Sequence, residues 1–429
     1  MSKSTRFLFV ALVLGLGWAI RGHFGHERGA AWAGLLATLA VLLVSNRKDW
    51  MKRAPALVAL GAIGWGVGGM MSYGIVVGYC RSVSFVNSTY GYAMLAIIGA
   101  LWGFIGGGLF GLGLESSEKN KPKWPNLIVE MFTGGFLIWA FFIGKMEWFM
   151  TPPRHETWAA CLGAAIALSW FLYRNKFPRA LRVAAYSALG AGFGFAFGNF
   201  LQGLGSISGI AYNWWNVMEF TLGFFGGLGM VYAVITREWP KSIPPSKTAN
   251  WISLTFIFIF IPLMIYFNSM SGERFVDLAK TLNILDAQQY ASTQMLFAGL
   301  TLIPFFLIAV FIWNRFYSHP KKLKQIGIPA LLLTTTIHYT LLSYIQKGMF
   351  YHPFSFKYSD SLYIFIVAIM FFMWYYLLRK NKELPKENAI NETWKRWALF
   401  LGSLLAIIIL FGLISSSINT GLPGAHNRF

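Results

Sequence analysis

The sequence predicts an all-α polytopic membrane protein with about thirteen transmembrane helices. Of its 429 residues, 56% are hydrophobic and only 12% are charged, and the mean hydropathy is +0.53. So few polar residues cannot cover the surface of a water-soluble globule. The apolar residues gather into thirteen runs, and the basic residues gather between alternate runs.

Each apolar run approaches the roughly 20 residues that a helix needs to cross a hydrocarbon core. The first run has no small-residue cleavage site, so we expect it to remain as a span rather than a cleaved signal peptide. The first two runs are short, so the segment between them should be partly buried. The runs are 6–20, 30–44, 55–79, 92–113, 126–144, 158–173, 182–203, 216–236, 250–268, 295–314, 328–346, 361–378 and 397–417.

Basic residues predict the orientation, because they are retained on the cytoplasmic side. With the N-terminus inside, 26 Lys and Arg residues fall on the cytoplasmic side and 10 on the other. An odd number of spans then places the C-terminus outside. We expect a bacterial cytoplasmic membrane protein whose net charge of +20 lies mostly beside anionic lipid. The lipid bilayer is therefore the predicted partner, and no motif indicates nucleic acid.

A 22-residue segment of the chain occurs twice. Residues 26–47, moved along by 129 positions, fall on residues 155–176, and eight of the 22 positions are identical. A composition this biased would give roughly two identities by chance. The identical pairs are His26 and His155, Glu27 and Glu156, Ala30 and Ala159, Ala31 and Ala160, Gly34 and Gly163, Leu39 and Leu168, Leu43 and Leu172, and Asn46 and Asn175.

The repeat predicts a duplicated four-helix unit, at 1–124 and 125–247. Each unit has an even number of spans, so both have the same orientation, as in a parallel repeat about an axis along the membrane normal. Residues 248–396 form a further four-helix unit, open to interpretation as a diverged third copy. Residues 397–429 add one terminal helix and an outer tail.

Glycine-rich stretches recur in both units, for example at 103–107 and 223–227. In lipid, helices associate largely through close backbone packing, so small-residue faces indicate tight helix contacts. The alternative is that these glycines allow a broken helix around a ligand, as in many transporters.

The candidate groups for proton exchange are the repeated pairs: His26, Glu27, His155 and Glu156. Each pair stands directly before an apolar run, where an ionisable side chain is costly and usually functional. If the two units pack about a pseudo-twofold axis, both pairs line one cavity at the outer face. Alternatively, each pair begins a helix, with its carboxylate beside the positive helix end. That explains the glutamates but not the histidines. Glu219 is interpreted as such a helix-start residue, because Asn216 precedes it as in a capping box.

Further residues near the outer span ends are candidates for binding a solute. Arginine can hold negative or hydroxyl groups. The aromatic residues either form the belt typical of membrane interfaces or stack against a ligand. The binding candidates are Arg21, His23, Arg28, Glu147, Trp148, Arg154, Trp214 and Trp215.

A divalent metal such as zinc is the alternative occupant of this region. Nitrogen and oxygen ligands would come from His23, His26, Glu27, His155 and Glu156. The helical His-Glu-x-x-His signature is absent from this segment. No cofactor is otherwise predicted.

The sequence favours a proton-coupled secondary transporter, or permease, for a small polar solute that is anionic or sugar-like. The chain is almost all membrane, is duplicated, and carries no nucleotide-binding or soluble catalytic motif. The alternative is a membrane-embedded hydrolase or transferase acting at the extracytoplasmic face, with a histidine as general base.

Overall fold

The computed structural model of the chain describes residues 3–351, 360, 362–378, 393–419 and 421–429. Within these residues every regular element is a helix. Ten helices are long and apolar enough to cross a membrane, and two shorter ones, Ala54–Gly68 and Tyr363–Tyr376, are also apolar. The all-helical membrane fold is confirmed, whereas the exact count of thirteen spans and the duplication stay predictions.

The helices are numbered here in chain order, and several of them contain a π-helical turn. They are α1 (Lys3–Arg21), α2 (His26–Ser45), α3 (Lys48–Met51), α4 (Ala54–Gly68), α5 (Gly74–Cys80), α6 (Phe85–Glu115), α7 (Trp124–Trp139, continued by the π-turn Ala140–Lys145), α8 (Thr157–Arg174), α9 (Pro178–Ile207), α10 (Trp214–Ile235), α11 (Lys247–Thr255, then the π-turn Phe256–Phe260), α12 (Ile261–Ser269), α13 (Gly272–Thr281), α14 (Ala287–Phe316), α15 (Pro320–Lys322, then the π-turn Leu323–Gly327), α16 (Ile328–Lys347), α17 (Tyr363–Phe372, then the π-turn Met373–Leu378) and α18 (Trp394–Ile418).

The turn between α1 and α2 is partly buried, as the short apolar runs predicted. A 3-10 turn, Gly22–Phe24, follows α1, and both His23 and Phe24 are buried. Gly25 then adopts a φ of 87°, which other residues rarely tolerate. This glycine breaks the helix and lets α2 begin again at His26.

Six helices form a closed ring. In order around the ring they are α1, α2, α4, α6, α9 and α10, and α10 packs back against α1. Trp18, Trp65 and Trp102 fill the centre and are fully buried. The ring of Trp18 lies 5.0 Å from that of Trp65 and 5.3 Å from that of Trp102, between centroids. These three residues, which we call the tryptophan cluster, close the middle of the helix ring.

Glycines bring the ring helices into backbone contact. A Cβ atom on Gly64 would lie 2.9 Å from the Cα atom of Gly106, and one on Gly103 would lie 2.5 Å from the Ser187 carbonyl carbon. Carbon atoms pack at about 3.5–4.0 Å, so neither site has room for a side chain. The predicted tight helix contacts are therefore confirmed for α4 with α6 and for α6 with α9.

The repeated segment forms a helix in both copies, but the two helices have different surroundings. Helix α2 begins at His26, and α8 begins directly after Glu156. Helix α2 is one of the ring helices and packs between α1 and α4. Helix α8 is not part of the ring and packs mainly against α7. The four-helix units at 1–124 and 125–247 stay predictions.

Connecting segments meet at two opposite ends of the helix bundle. At one, the Arg47 end, Arg47 donates hydrogen bonds to the carbonyl oxygens of Trp239 at 3.0 Å and Pro240 at 2.8 Å. At the other, the Arg21 end, lie the C-terminus of α1 and the segment between α4 and α5. We predict that the Arg47 end is cytoplasmic, because the basic loops of the sequence meet there.

The later helices flank the ring. Tyr339 of α16 donates to the carbonyl oxygen of Gly17 at 3.1 Å, and Gln346 of the same helix donates to that of His23. On the other side, the hydroxyls of Tyr92 in α6 and Ser415 in α18 lie 2.7 Å apart. The two hydrogen bonds from α16 hold the end of α1 and the turn that follows it, and the contact from α18 holds α6.

Candidate functional site

A cavity of about 350 Å³ lies at the Arg21 end of the ring. This volume is within the range of small-molecule sites in proteins. We call it the Arg21 cavity. Its lining residues are Arg21, Gly22, Gly25, His26, Ser72, Tyr73, Gly74, Arg154, Trp215 and Glu219.

Three buried polar side chains, Arg21, Tyr73 and Glu219, form a hydrogen-bonded cluster in the cavity lining. The guanidinium Nη2 of Arg21 lies 2.8 Å from the Tyr73 hydroxyl and 3.3 Å from Oε1 of Glu219. Tyr73 donates to the same Oε1 at 2.6 Å. The exposed fractions of these side chains are 4% or less. Hydrogen bonds that involve a guanidinium or a carboxylate group are stronger than those between neutral groups.

The end of α1 explains the position of Arg21. A cation at a helix C-terminus interacts favourably with the helix dipole. Trp18 lies one turn earlier on the same face, and the guanidinium carbon lies 5.1 Å from its ring and 5.2 Å from that of Trp102. Such cation–π contacts stabilise a desolvated arginine. The tryptophan cluster therefore supports Arg21 from the centre of the ring.

Glu219 is not the helix-start residue that the sequence predicted. The residue that caps α10 is Asn213, whose side chain accepts from the backbone N–H of Asn216. Glu219 lies beyond the first turn, and its Oε1 also accepts from Nε1 of Trp215 at 3.1 Å. The available signal was that Glu219 is the only acidic residue in the apolar run 216–236. The sequence carries no comparable signal for Tyr73.

His26 and Arg154 lie in the same cavity lining and are exposed. His26 is the first residue of α2, and its ring centroid lies 5.6 Å from that of Tyr73. Arg154 reaches the cavity from the loop between α7 and α8. Arg21 and Arg154 give the described lining two guanidinium groups against one carboxylate, that of Glu219. Such a cavity can bind an anionic group.

Several predicted binding residues lie outside this lining. His23 is buried, and its Nδ1 lies 2.6 Å from the Ser343 hydroxyl. Arg28 forms an ion pair of 3.2 Å with Glu27, at the partly exposed start of α2. His23 therefore pairs with Ser343, and Arg28 pairs with Glu27, and none of these three predicted residues lines the Arg21 cavity.

Of the three tryptophans predicted to bind a solute, one lines the cavity and two do not. Trp215 lines the cavity. Trp214 donates from Nε1 to the carbonyl oxygen of Ile210 at 3.1 Å. Trp148 stacks on Phe142, with 5.0 Å between ring centroids, and the neighbouring Glu147 adopts a φ of 53° in the turn after α7.

Of the two His-Glu pairs, only His26 is among the residues that line the Arg21 cavity. That both pairs line one outer cavity stays a prediction. His155 is exposed. The carboxylate of Glu156 accepts from the backbone N–H groups of Met150 and Thr151, both at 2.8 Å, and from Nε1 of Trp158 at 2.7 Å. Glu156 therefore holds the loop between α7 and α8. The surroundings of the two pairs differ because the first pair begins α2, a helix of the ring, whereas the second precedes α8, which lies outside the ring.

We expect Glu156→Ala to loosen the loop at 146–156, because it leaves three donors without their acceptor. An unsatisfied buried polar group costs about 1–3 kcal/mol. Hydrogen exchange of the Met150 and Thr151 amides should increase in this variant. His155→Ala is the matched control and should leave the exchange unchanged. Equal exchange in the parent and in Glu156→Ala would contradict the anchoring role.

The metal interpretation stays a prediction. In the part of the chain that the structure describes, no three His, Cys, Asp or Glu side chains are close enough together to hold one ion.

Comparisons with known proteins identify no relative. No protein-family model, no curated protein and no solved structure matches the chain.

Proposed function

We propose that this chain is a proton-coupled secondary transporter that moves a small polar solute through the Arg21 cavity. The carrying observation is the buried ion pair of Arg21 and Glu219 in the lining of a solute-sized cavity, inside a ring of apolar helices. Charged side chains within membrane helices are costly, and they usually mark substrate paths or proton relays. A pair that served packing alone would need no cavity beside it.

The lining favours an anionic or sugar-like solute. The planar guanidinium groups of Arg21 and Arg154 can each offer two parallel donors to a carboxylate, or single donors to hydroxyls. Trp215, with an exposed fraction of 37%, adds an apolar face against which a ring or a carbon chain can pack. The solute class is therefore a small carboxylate or a sugar acid.

Glu219 is the carboxylate that couples solute binding to protons in this proposal. While it is ionised, it holds the charge of Arg21 at 3.3 Å. Once it is protonated, the guanidinium is released to bind the solute anion. Loss of the proton on the other side of the membrane restores the ion pair and expels the solute. His26, at the exposed side of the cavity, is the group that relays protons to this site.

Transport also requires the centre of the ring to open. Trp65 is the side chain at issue, because its ring packs against three glycines of other ring helices, Gly34, Gly106 and Gly226. Contacts with glycine present a smooth surface along which a helix can slide by a small distance, which is how shear motions between packed helices occur. This geometry supports alternating access by movement of α4 against α2, α6 and α10.

The test is solute-dependent proton flux in vesicles that contain the purified protein and an internal pH dye. The probes are succinate, gluconate, inorganic phosphate and glucose, each also supplied with a radiolabel. We expect at least one anionic probe to enter together with protons. In Glu219→Gln, uptake of that probe should no longer follow the pH gradient, whereas His155→Ala should behave as the parent does. The proposal fails if no probe moves with protons, or if Glu219→Gln remains coupled.

A second candidate function is catalysis at the Arg21 end. The observation that favours it is that the tryptophan cluster closes the ring beyond the cavity. Glu219 and His26 would then act as proton donor and acceptor toward a bound substrate. Mass spectrometry of the same vesicle medium separates the two functions, because a chemically altered probe without net flux supports the enzyme.

A further inference from the structure

A second, larger cavity of about 830 Å³ lies at the Arg47 end of the bundle. Residues of three segments, 48–52, 117–119 and 240–245, line it together with Pro320. Its charged lining residues are Lys48, Asp49, Lys52, Glu118, Lys119 and Lys241. We call Lys48, Lys52, Lys119 and Lys241 the lysine cluster. The cavity is at the opposite end from the Arg21 cavity, so an inference about it does not rest on the proposed transport function.

The wall at 240–245 is held in place by two arginines. Arg47 binds the carbonyl oxygens at its start, and Arg53, which is buried, donates to the Ser242 hydroxyl at 2.6 Å. The backbone N–H of Ile243 donates to the carbonyl oxygen of Ser116 at 3.2 Å. Three prolines in this wall, at 240, 244 and 245, restrict the backbone further. The cavity is therefore preorganised rather than formed by a loose loop.

One of the two carboxylates in the lining is already occupied. Asp49 accepts two hydrogen bonds from Arg47, at 3.0 and 2.5 Å, and one from the backbone N–H of Ser242 at 3.0 Å. Burial alone would raise the pKa of Asp49, but these hydrogen bonds outweigh it and hold the pKa below its usual range. Asp49 is thus neutralised by Arg47, which leaves only Glu118 to balance four lysine ammonium groups.

We propose that the lysine cluster binds a phosphate-bearing anion in this cavity. A lysine ammonium is a compact charge with three donors and is a common phosphate ligand. Four lysines that line one cavity from three segments match a group with more than one negative charge, whereas a carboxylate needs only one partner. The general excess of lysine on a cytoplasmic face accounts for the number of these residues, but not for their convergence on a walled cavity.

Two sources supply this chemistry: the headgroup of an anionic phospholipid and a soluble phosphate compound. The experiment has one arm for each and uses the full chain in nanodiscs. In neutral phosphatidylcholine discs, pyrophosphate binding is measured by calorimetry. In discs that contain phosphatidylglycerol, native mass spectrometry measures how many anionic lipids remain bound after detergent release.

We expect Lys48→Ala/Lys241→Ala to weaken pyrophosphate binding about tenfold or more, since each lost charge-assisted hydrogen bond removes a substantial part of the affinity. If the natural source is the lipid, this variant should instead lose bound phosphatidylglycerol. Lys145→Ala, an exposed lysine at the Arg21 end, is the matched control, and Lys48→Arg/Lys241→Arg should retain binding in whichever arm responds.

All the variants change exposed side chains, and their unfolding temperatures verify that they are folded. The inference is overturned if the parent and the double alanine variant bind pyrophosphate and phosphatidylglycerol equally. It is also overturned if Lys145→Ala loses as much binding as the double variant does.

Discussion

Arg21→Ala is expected to lower the free energy of unfolding by about 3–5 kcal/mol, because it leaves the Glu219 carboxylate buried without its cation. Both side chains are almost completely buried, with exposed fractions of 1% and 2%. The same change removes the guanidinium that contacts Trp18 and Trp102. Denaturant unfolding in detergent micelles, followed by tryptophan fluorescence, measures this loss.

A double-mutant cycle separates the ion pair from other effects of the substitution. Glu219→Gln in the Arg21→Ala background removes the unpaired charge, so the double variant should lose less stability than the sum of the two single variants. Arg154→Ala is the control, because this arginine lines the same cavity but is exposed. It should change stability by less than about 0.5 kcal/mol. Additive losses would show that the two side chains do not act as a buried pair.

Gly103→Ala is expected to destabilise the helix ring strongly, by about 1–3 kcal/mol or more, because the new Cβ would overpack the interface between α6 and α9. The obstructing atoms belong to the Ser187 backbone, so no rotation of a side chain can relieve the contact. The two helices would have to move apart. The expected result is a lower unfolding temperature and a lower yield of folded protein.

Gly402→Ala in α18 is the matched substitution, since a Cβ atom at Gly402 has nothing within 4 Å. In a helix interior, alanine is favoured over glycine by about 0.5–1 kcal/mol. This variant should therefore be as stable as the parent or slightly more stable. Equal effects of the two substitutions would mean that the contact between α6 and α9 is not tight.

The membrane class and the helical structure could be predicted from composition alone. Inside a bilayer, water cannot satisfy backbone N–H and C=O groups, so a long apolar run of this kind is expected to form a helix. Close helix packing was also predictable from the glycines, because the absence of a side chain is a local property. Their partners were not: Gly103 packs against Ser187, 84 positions later in the chain, and no local pattern indicates that choice.

Part of the candidate site followed from the sequence, and part did not. Arg21, His26, Arg154 and Trp215 were all selected as ionisable or aromatic residues at outer span ends, and they line one cavity. Tyr73 and Glu219 were missed. The hydrogen bonds that make them part of the site join residues 52, 146 and 198 positions apart. Contacts over such separations are set by how the helices pack around the ring.

The sequence by itself determined that this is a helical membrane protein with basic loops on alternate connections, since the bilayer imposes length and polarity on each segment separately. Only the tertiary structure decided which ionisable residues meet. The two His-Glu pairs are identical in sequence, yet His26 lines the Arg21 cavity beside a buried ion pair, whereas Glu156 accepts hydrogen bonds within the loop between α7 and α8. The physical reason is that desolvation and charge pairing depend on neighbours from other helices, not on the segment that carries the group.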